Sequence, residues 1–305
     1  MSPATMSSVT SLVSGGLVTI DYMELITNIK EMRQFSSDAK KAGKSIVFVP
    51  TMGCLHEGHE SLLKKGRKLG DILVMSIFVN PIQFGPKEDY ALYPRDLKKD
   101  LALAEVNKVD VVFNPAAEEM YPDNFQTAIE VEKLDNHLCG ISRPGHFKGV
   151  ATVVAKLFNI VKPDIALFGE KDYQQLLIIK KMVQDLNMNV TVVSMPIARE
   201  ADGLAMSSRN NYLNKDERRA ARCLYTALLK GKDMFHNGVT DAQAILQKMR
   251  NIIEAEPLAE VDYIKICNVN TLDDLERIAD KTLLALAVKI GRTRLIDNII
   301  ILSNE

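Results

Sequence analysis

Between residues 45 and 196 the sequence alternates short, β-branched apolar runs with longer amphipathic segments, and this alternation restricts the fold more than any other feature. The apolar runs are Ser45–Pro50 (SIVFVP), Ile72–Val79, VDVVFNP from Val109, DIALFGE from Asp164 and VTVVSMP from Val190. Between them lie HESLLKKGRKLG, RDLKKDLALAEVNK, GVATVVAKLFNIVKP and DYQQLLIIKKMVQDLN, whose apolar residues recur at helical spacing. Strands alternating with helices predict an α/β fold: an open, doubly wound parallel sheet with right-handed crossovers. Such a sheet places its ligands at the carboxyl ends of the strands.

After Met206 the pattern changes. Two charged helical segments, ERRAARCLYTALLKGKDMF and AQAILQKMRNIIEAE, precede three strand-like runs, VDYIKICNV, LLALAVKIG and TRLIDNIII. A length of 305 residues fits two domains. The boundaries expected are 23–197 for the parallel-sheet domain and 198–305 for a smaller α+β domain. Residues 1–22 are rich in Ser and Thr and contain no Lys or Arg, so they match neither a secretory signal nor an Arg-rich transit peptide. They read as a disordered leader before Met23.

Charge and cysteine usage exclude several function classes. A net charge of -1 leaves no global basic field to draw nucleic acid or an anionic membrane, so neither is expected as a partner. The apolar runs fall well short of the roughly 20 residues of a membrane helix. Cys54, Cys139, Cys223 and Cys267 are scattered and form no Cys-x-x-Cys pair, as in reduced cytosolic proteins.

Four loops carry the candidate chemistry. In PTMGCLHEGH, after the first of these strands, His56 and His59 flank Gly58 where a helix begins. A helix N-terminus favours an anion, and two imidazoles there add donors for phosphate oxygens; a turn with two surface histidines is the simpler alternative. Their spacing does not suit the His-x-x-x-His zinc arrangement. In MSSR, Met206 to Arg209, two hydroxyls and a guanidinium make a phosphate clamp or an ordinary capped loop. In FGEKDYQQ, Gly169 permits close backbone approach, Lys171 or Asp172 can reach ribose or phosphate, and Gln175 can donate and accept; a capped helix is again the alternative. After the Ile72 strand, Asn80 and Gln83 offer neutral amides for hydroxyl and carboxylate groups, and Asp96 and Asp100 are acids that can share a magnesium ion with substrate phosphates. Arg143, in the loop RPGH, can reach an anion.

With these blocks in order, PTMGCLHEGH, SIFVNPIQF, YPR, RPGHF, FGEKDYQQL and READGLAMSSRN, the chain resembles the pantoate–β-alanine ligase family from about Met23 to its end. The resemblance implies a Rossmann-like first domain, a C-terminal lid, a cytoplasmic homodimer, and Mg²⁺-dependent joining of pantoate and β-alanine through a pantoyl adenylate, with ATP as co-substrate. It implies catalytic roles for His56, His59, Lys171, Ser207, Ser208 and Arg209. Pro50, Met52, Gly169, Asp172, Ala198 and Met206 complete the ATP site. Pantoate falls to Gln83, Gln175, Met52, Asn80, Tyr93 and Arg143, and the metal to Asp100. Cys54 and Ile82 depart from the residues usual in the family. A nucleotidyltransferase with the same His-x-Gly-His loop, an ATP-sensing module without activity, and a fragment of a tRNA synthetase are the alternatives weighed. The FGEKDYQQ block and Gln83 favour the ligase over the first, the full set of phosphate-contacting residues disfavours the second, and the near-neutral charge disfavours the third.

Overall fold

The computed structural model describes residues 23–86, 88–278 and 281–302; the expected leader lies outside them. Along the chain run β1 (Glu24–Ile26), α1 (Ile29–Lys41), β2 (Ile46–Thr51), α2 (Glu57–Gly66), β3 (Ile72–Ile77), α3 (Leu97–Val106) and β4 (Val111–Phe113). Three short helices follow, α4 (Ala117–Met120), α5 (Glu132–Asp135) and α6 (Leu138–Ser142), then α7 (His146–Val161), β5 (Ile165–Gly169), α8 (Tyr173–Asp185) and β6 (Thr191–Met195). The remainder is α9 (Lys215–Ala220), α10 (Arg222–His236), α11 (Ala242–Glu254), β7 (Ala259–Asn268), β8 (Lys281–Ile290) and β9 (Thr293–Leu302).

The first six strands form one parallel sheet in the order β1-β4-β3-β2-β5-β6. Strand β3 is buried along its whole length, which is why its sequence is continuously apolar rather than alternating. One sheet face packs under α1, α7 and α8, where Phe48, Val74 and Phe113 meet Met32, Phe158 and Ile178. The other face, with Val47, Leu73 and Val112, is covered by α2 and α3 through Leu63 and Ala104. The sheet is Rossmann-like and doubly wound, as the strand–helix alternation predicts. From β2 the chain winds outward through β3 and β4, then returns to place β5 on the other side of β2. The crevice between the ends of β2 and β5 is therefore the topological switch point.

Two elements go beyond the sequence reading. Strand β1 spans three residues, too few for a period, and pairs with β4 at the sheet edge. Helix α1 is capped by Asn28, which accepts from Glu31 N–H, and buries Met32, Ser36 and Ala39. A third difference is a break in the expected helix ERRAARCLYTALLKGKDMF. Ala221, at φ -56 and ψ -19, tightens the turn between α9 and α10, so that Leu224 N–H bonds Ala221 O at 3.3 Å.

Strands β7-β8-β9 form a separate antiparallel sheet. One of its faces packs on α10 and α11 through Leu284, Leu286 and Val288. The other carries Cys267, Leu283 and Ala285 into the core of the larger sheet, which seats β9 beside the loop that follows β5. Among the described residues no helix is long and apolar enough to cross a membrane.

Candidate active site

At the switch point lies a cleft of about 250 Å³ open to solvent. Four segments supply most of its polar lining. The loop from β2 to α2 contributes Pro50, Met52, His56 and His59; the segment after β3 contributes Asn80, Gln83 and Tyr93. Gly169, Lys171, Asp172 and Gln175 follow β5, and Ala198, Met206, Ser207, Ser208 and Arg209 come from the segment after β6. Arg143 closes one side. Every candidate binding residue read from the sequence lines this one cleft except the two acids Asp96 and Asp100.

The two histidines have defined hydrogen positions. His56 caps α2, its Nδ1 accepting from Gly58 N–H at 3.1 Å, and His59 Nδ1 accepts from His56 N–H at 3.3 Å. A neutral imidazole has a single N–H, so each must carry it on Nε2 and present it as a donor. Gly58 makes this fold-back possible, because a Cβ there would lie 2.8 Å from Cε1 of His56. Burial, and then the nearby Lys171 ammonium, push the His56 pKa down to about 4. Burial, then His56 and Lys171, push His59 to about 3. At neutral pH both rings are uncharged donors at the positive end of a helix, and an arriving anion favours their protonation.

The second sheet braces the opposite wall. Asn298 Nδ2 on β9 donates to the backbone oxygens of Glu170 and Lys171 at 3.0 and 2.9 Å. Next to it Asp297, whose side chain is fully buried, holds Arg199 with two bonds at 2.7 and 2.9 Å. Met206 N–H bonds Ala198 O at 2.9 Å, folding the READGLAM segment into a loop that brings Ser207, Ser208 and Arg209 beside Ala198. Ser207 caps the following 3₁₀ turn by accepting from Arg209 N–H, and the Ser208 hydroxyl lies 3.2 Å from that of Tyr93.

Both arginines of the cleft are paired with the loop after Gln83. Arg143 makes two bonds to Glu88 at 2.6 and 2.7 Å, and Arg209 makes two to Asp89 at 3.1 and 2.9 Å. Burial opposes the charge on Glu88, yet Arg143 holds its carboxyl below the usual value. Arg143 also lies 3.0 Å from His146 Nε2. A guanidinium can only donate, so Nε2 accepts and Nδ1–H donates to Gln83 O at 2.9 Å. Burial, then Arg143, push His146 down to about 4.

Asp100 is placed differently from the other candidates. It is 1% exposed, and its oxygens accept from Cys54 and Leu55 N–H at 2.9 and 2.8 Å, which pins the loop before α2. Among the described residues no group of three or more His, Cys, Asp or Glu is arranged to hold a metal ion. These donors do not fit a metal caged by the protein. Asp96 caps α3 through Lys99 N–H.

The pantoate-β-alanine ligase family model matches residues 24–300. The chain belongs to the pantoate–β-alanine ligase family. A pantothenate synthetase of Geotalea uraniireducens is 54% identical over 279 residues, 92% of this chain and 99% of that protein. The crystal structure of the Thermus thermophilus pantothenate synthetase superimposes with a TM-score of 0.86 at 44% identity, covering 91% of this chain and 99% of that one. The Francisella tularensis pantoate–β-alanine ligase, whose structure is a complex with beta-gamma ATP and β-alanine, gives a TM-score of 0.77 at 36% identity over 92% and 98% of the two chains.

Several residues that brace this cleft carry no signal in the sequence. Glu88 and Asp89 read as ordinary loop acids, and Asp297 and Asn298 sit within a strand-like run. Gln174 and Gln175 are indistinguishable as neighbours, yet Gln174 is buried with its amide bonded to Leu134, His137 and Cys139, while Gln175 faces the cleft.

Proposed function

We propose that this ligase joins pantoate to β-alanine in two steps. The pantoate carboxylate attacks the α-phosphorus of ATP, giving pantoyl adenylate and releasing pyrophosphate. The β-alanine amine then attacks the acyl carbon of the mixed anhydride, giving pantothenate and AMP. The observation that carries this reading is the pair of Nε2–H donors of His56 and His59 at the N-terminus of α2, with Lys171 and the Ser207–Arg209 turn lining the same cleft. Such an arrangement neutralises charge on a leaving pyrophosphate and holds reactants in line, which is most of what adenylate formation requires.

In this reading His56, His59, Lys171, Ser207, Ser208 and Arg209 take the phosphates. Gly169, Asp172, Ala198, Met206 and Pro50 shape the nucleotide site. Gln83, Gln175, Asn80 and Met52 hold pantoate, with Tyr93 and Arg143 closing over it. Mg²⁺ would come as part of the MgATP substrate and would supply charge neutralisation there, while Asp100 anchors the loop of His56. Residues 23–197 act as the nucleotide and acid domain and 198–305 as the lid, a division supported by their separate sheets. The family resemblance extends the reading to a cytoplasmic homodimer.

The test is pyrophosphate release from MgATP with pantoate, with and without β-alanine, and mass spectrometry of the products. The expected result is pantothenate plus AMP, with release falling to about one equivalent per site when the amine is left out. Release independent of pantoate, or a final product that still carries the nucleotide when β-alanine is present, overturns the reading.

A further inference from the structure

Tyr121 belongs to none of the sequence blocks above, yet it starts a hydrogen-bond relay that ends in the cleft. It follows α4, and its hydroxyl donates to Asn80 Oδ1 at 2.8 Å. An amide side chain has one oxygen and one NH₂. With Oδ1 turned to Tyr121, Asn80 Nδ2 faces the other way and donates to Gly149 O at 3.1 Å and to Gln83 Oε1 at 3.0 Å. Gln83 thus has its oxygen engaged and its NH₂ facing the cleft, 3.1 Å from the sulfur of Met52. A thioether is a weak acceptor, so an oxygen of the acid substrate is the better partner for that NH₂.

Reversing Asn80 brings its oxygen against Gly149 O, and reversing Gln83 brings its NH₂ against the NH₂ of Asn80, two donors with no acceptor between them. The relay therefore sets polarity as well as position. Tyr121 suits its end of the chain: burial pushes its ionisation above the ordinary phenol value, so it stays a donor. Its ring is held by Phe78 and Phe125, with centroids 6.2 and 5.1 Å away.

We propose that Tyr121 is a positioning residue for the acid substrate, acting through Asn80 to hold Gln83 as a donor toward a substrate carboxylate or hydroxyl oxygen. The proposal rests on the reading of Gln83 as a pantoate-binding residue.

Tyr121→Phe keeps the ring and its contacts and removes one hydroxyl. The expected result is a rise in the KM for pantoate of roughly five-fold, the scale of one net hydrogen bond. The KM for ATP, kcat at saturating pantoate and the thermal midpoint stay near wild type. A purely structural role instead lowers the thermal midpoint and moves both KM values, and that result counts against the relay. Two further variants separate the possibilities. Gln83→Ala raises the KM for pantoate, and adding Tyr121→Phe to it has no further effect, because the relay has lost its end. If Gln83→Ala leaves the pantoate KM unchanged, the site reading itself fails and the relay with it. If Gln83→Ala raises it while Tyr121→Phe does not, or if the two effects multiply in the double variant, the relay alone is overturned.

Discussion

Gly149 is where one methyl group should separate activity from stability. It lies in α7 beneath the 3₁₀ turn Pro81–Gln83, and a Cβ built on it would fall 2.4 Å from Ile82 O, 2.6 Å from Gln83 Cα and 2.7 Å from Gln83 N. All three are backbone atoms, and ordinary contact begins at 3.4 Å, so no side-chain rotation relieves the clash. In a close-packed interior the turn must withdraw by about 1 Å, carrying Asn80 and Gln83 with it. Overpacking of this kind costs about 1–3 kcal/mol. The gain in helix propensity from Gly to Ala returns about 1 kcal/mol. The net loss, at most about 2 kcal/mol, corresponds to a fall in thermal midpoint of a few degrees. Misplacing substrate-holding groups by the same ~1 Å costs on the order of 100-fold in rate. Gly149→Ala is therefore expected to melt close to wild type while losing most pantoate-dependent pyrophosphate release. Wild-type turnover and pantoate KM in a folded variant would refute the reasoning, since the turn would then have moved without consequence.

His59→Ala removes one uncharged donor from the N-terminus of α2 and should slow adenylate formation by about 100- to 1,000-fold, measured in a single turnover; an unchanged rate rules out its role. Stability should fall on acidification. His56, His59 and His146 have folded pKa values near 4, 3 and 4, below their ordinary 6.5, so the unfolded chain takes up protons first. Their contribution is whole above pH 6.5 and is lost as pH drops toward 4; a thermal midpoint that stays flat from pH 7 to 5 contradicts this. Asp297→Ala strands Arg199, whose side chain is 18% exposed, and should cost about 3–5 kcal/mol in denaturant unfolding. A loss under about 1 kcal/mol would mean that water reaches the guanidinium freely.

How far the chain reveals itself depends on the distance over which each feature is decided. Strand β3, helix α8 and the order of parallel elements follow from patterns within a few residues, where periodicity and turn chemistry act. The placing of His56 and His59 at a helix start is legible for the same reason, because strand, glycine and helix are contiguous. The FGEKDYQQ and MSSR blocks could be named as candidates, though only the fold brings them to one cleft. Beyond that range the pattern is silent. The sequence marks Asp100 only as a carboxylate able to hold a metal, and packing decides that its oxygens also accept from backbone N–H groups 45 and 46 positions away.

Local sequence patterns specify the set of elements, their order, and the candidate loops at the strand ends. Tertiary structure decided which groups within those loops remain available. Arg143 meets Glu88 across 55 positions, Arg209 meets Asp89 across 120, and Asn298 braces Lys171 across 127. Polar side chains must find partners once water is withdrawn from them, and those partners are chosen by how the two sheets dock rather than by any neighbour in the chain.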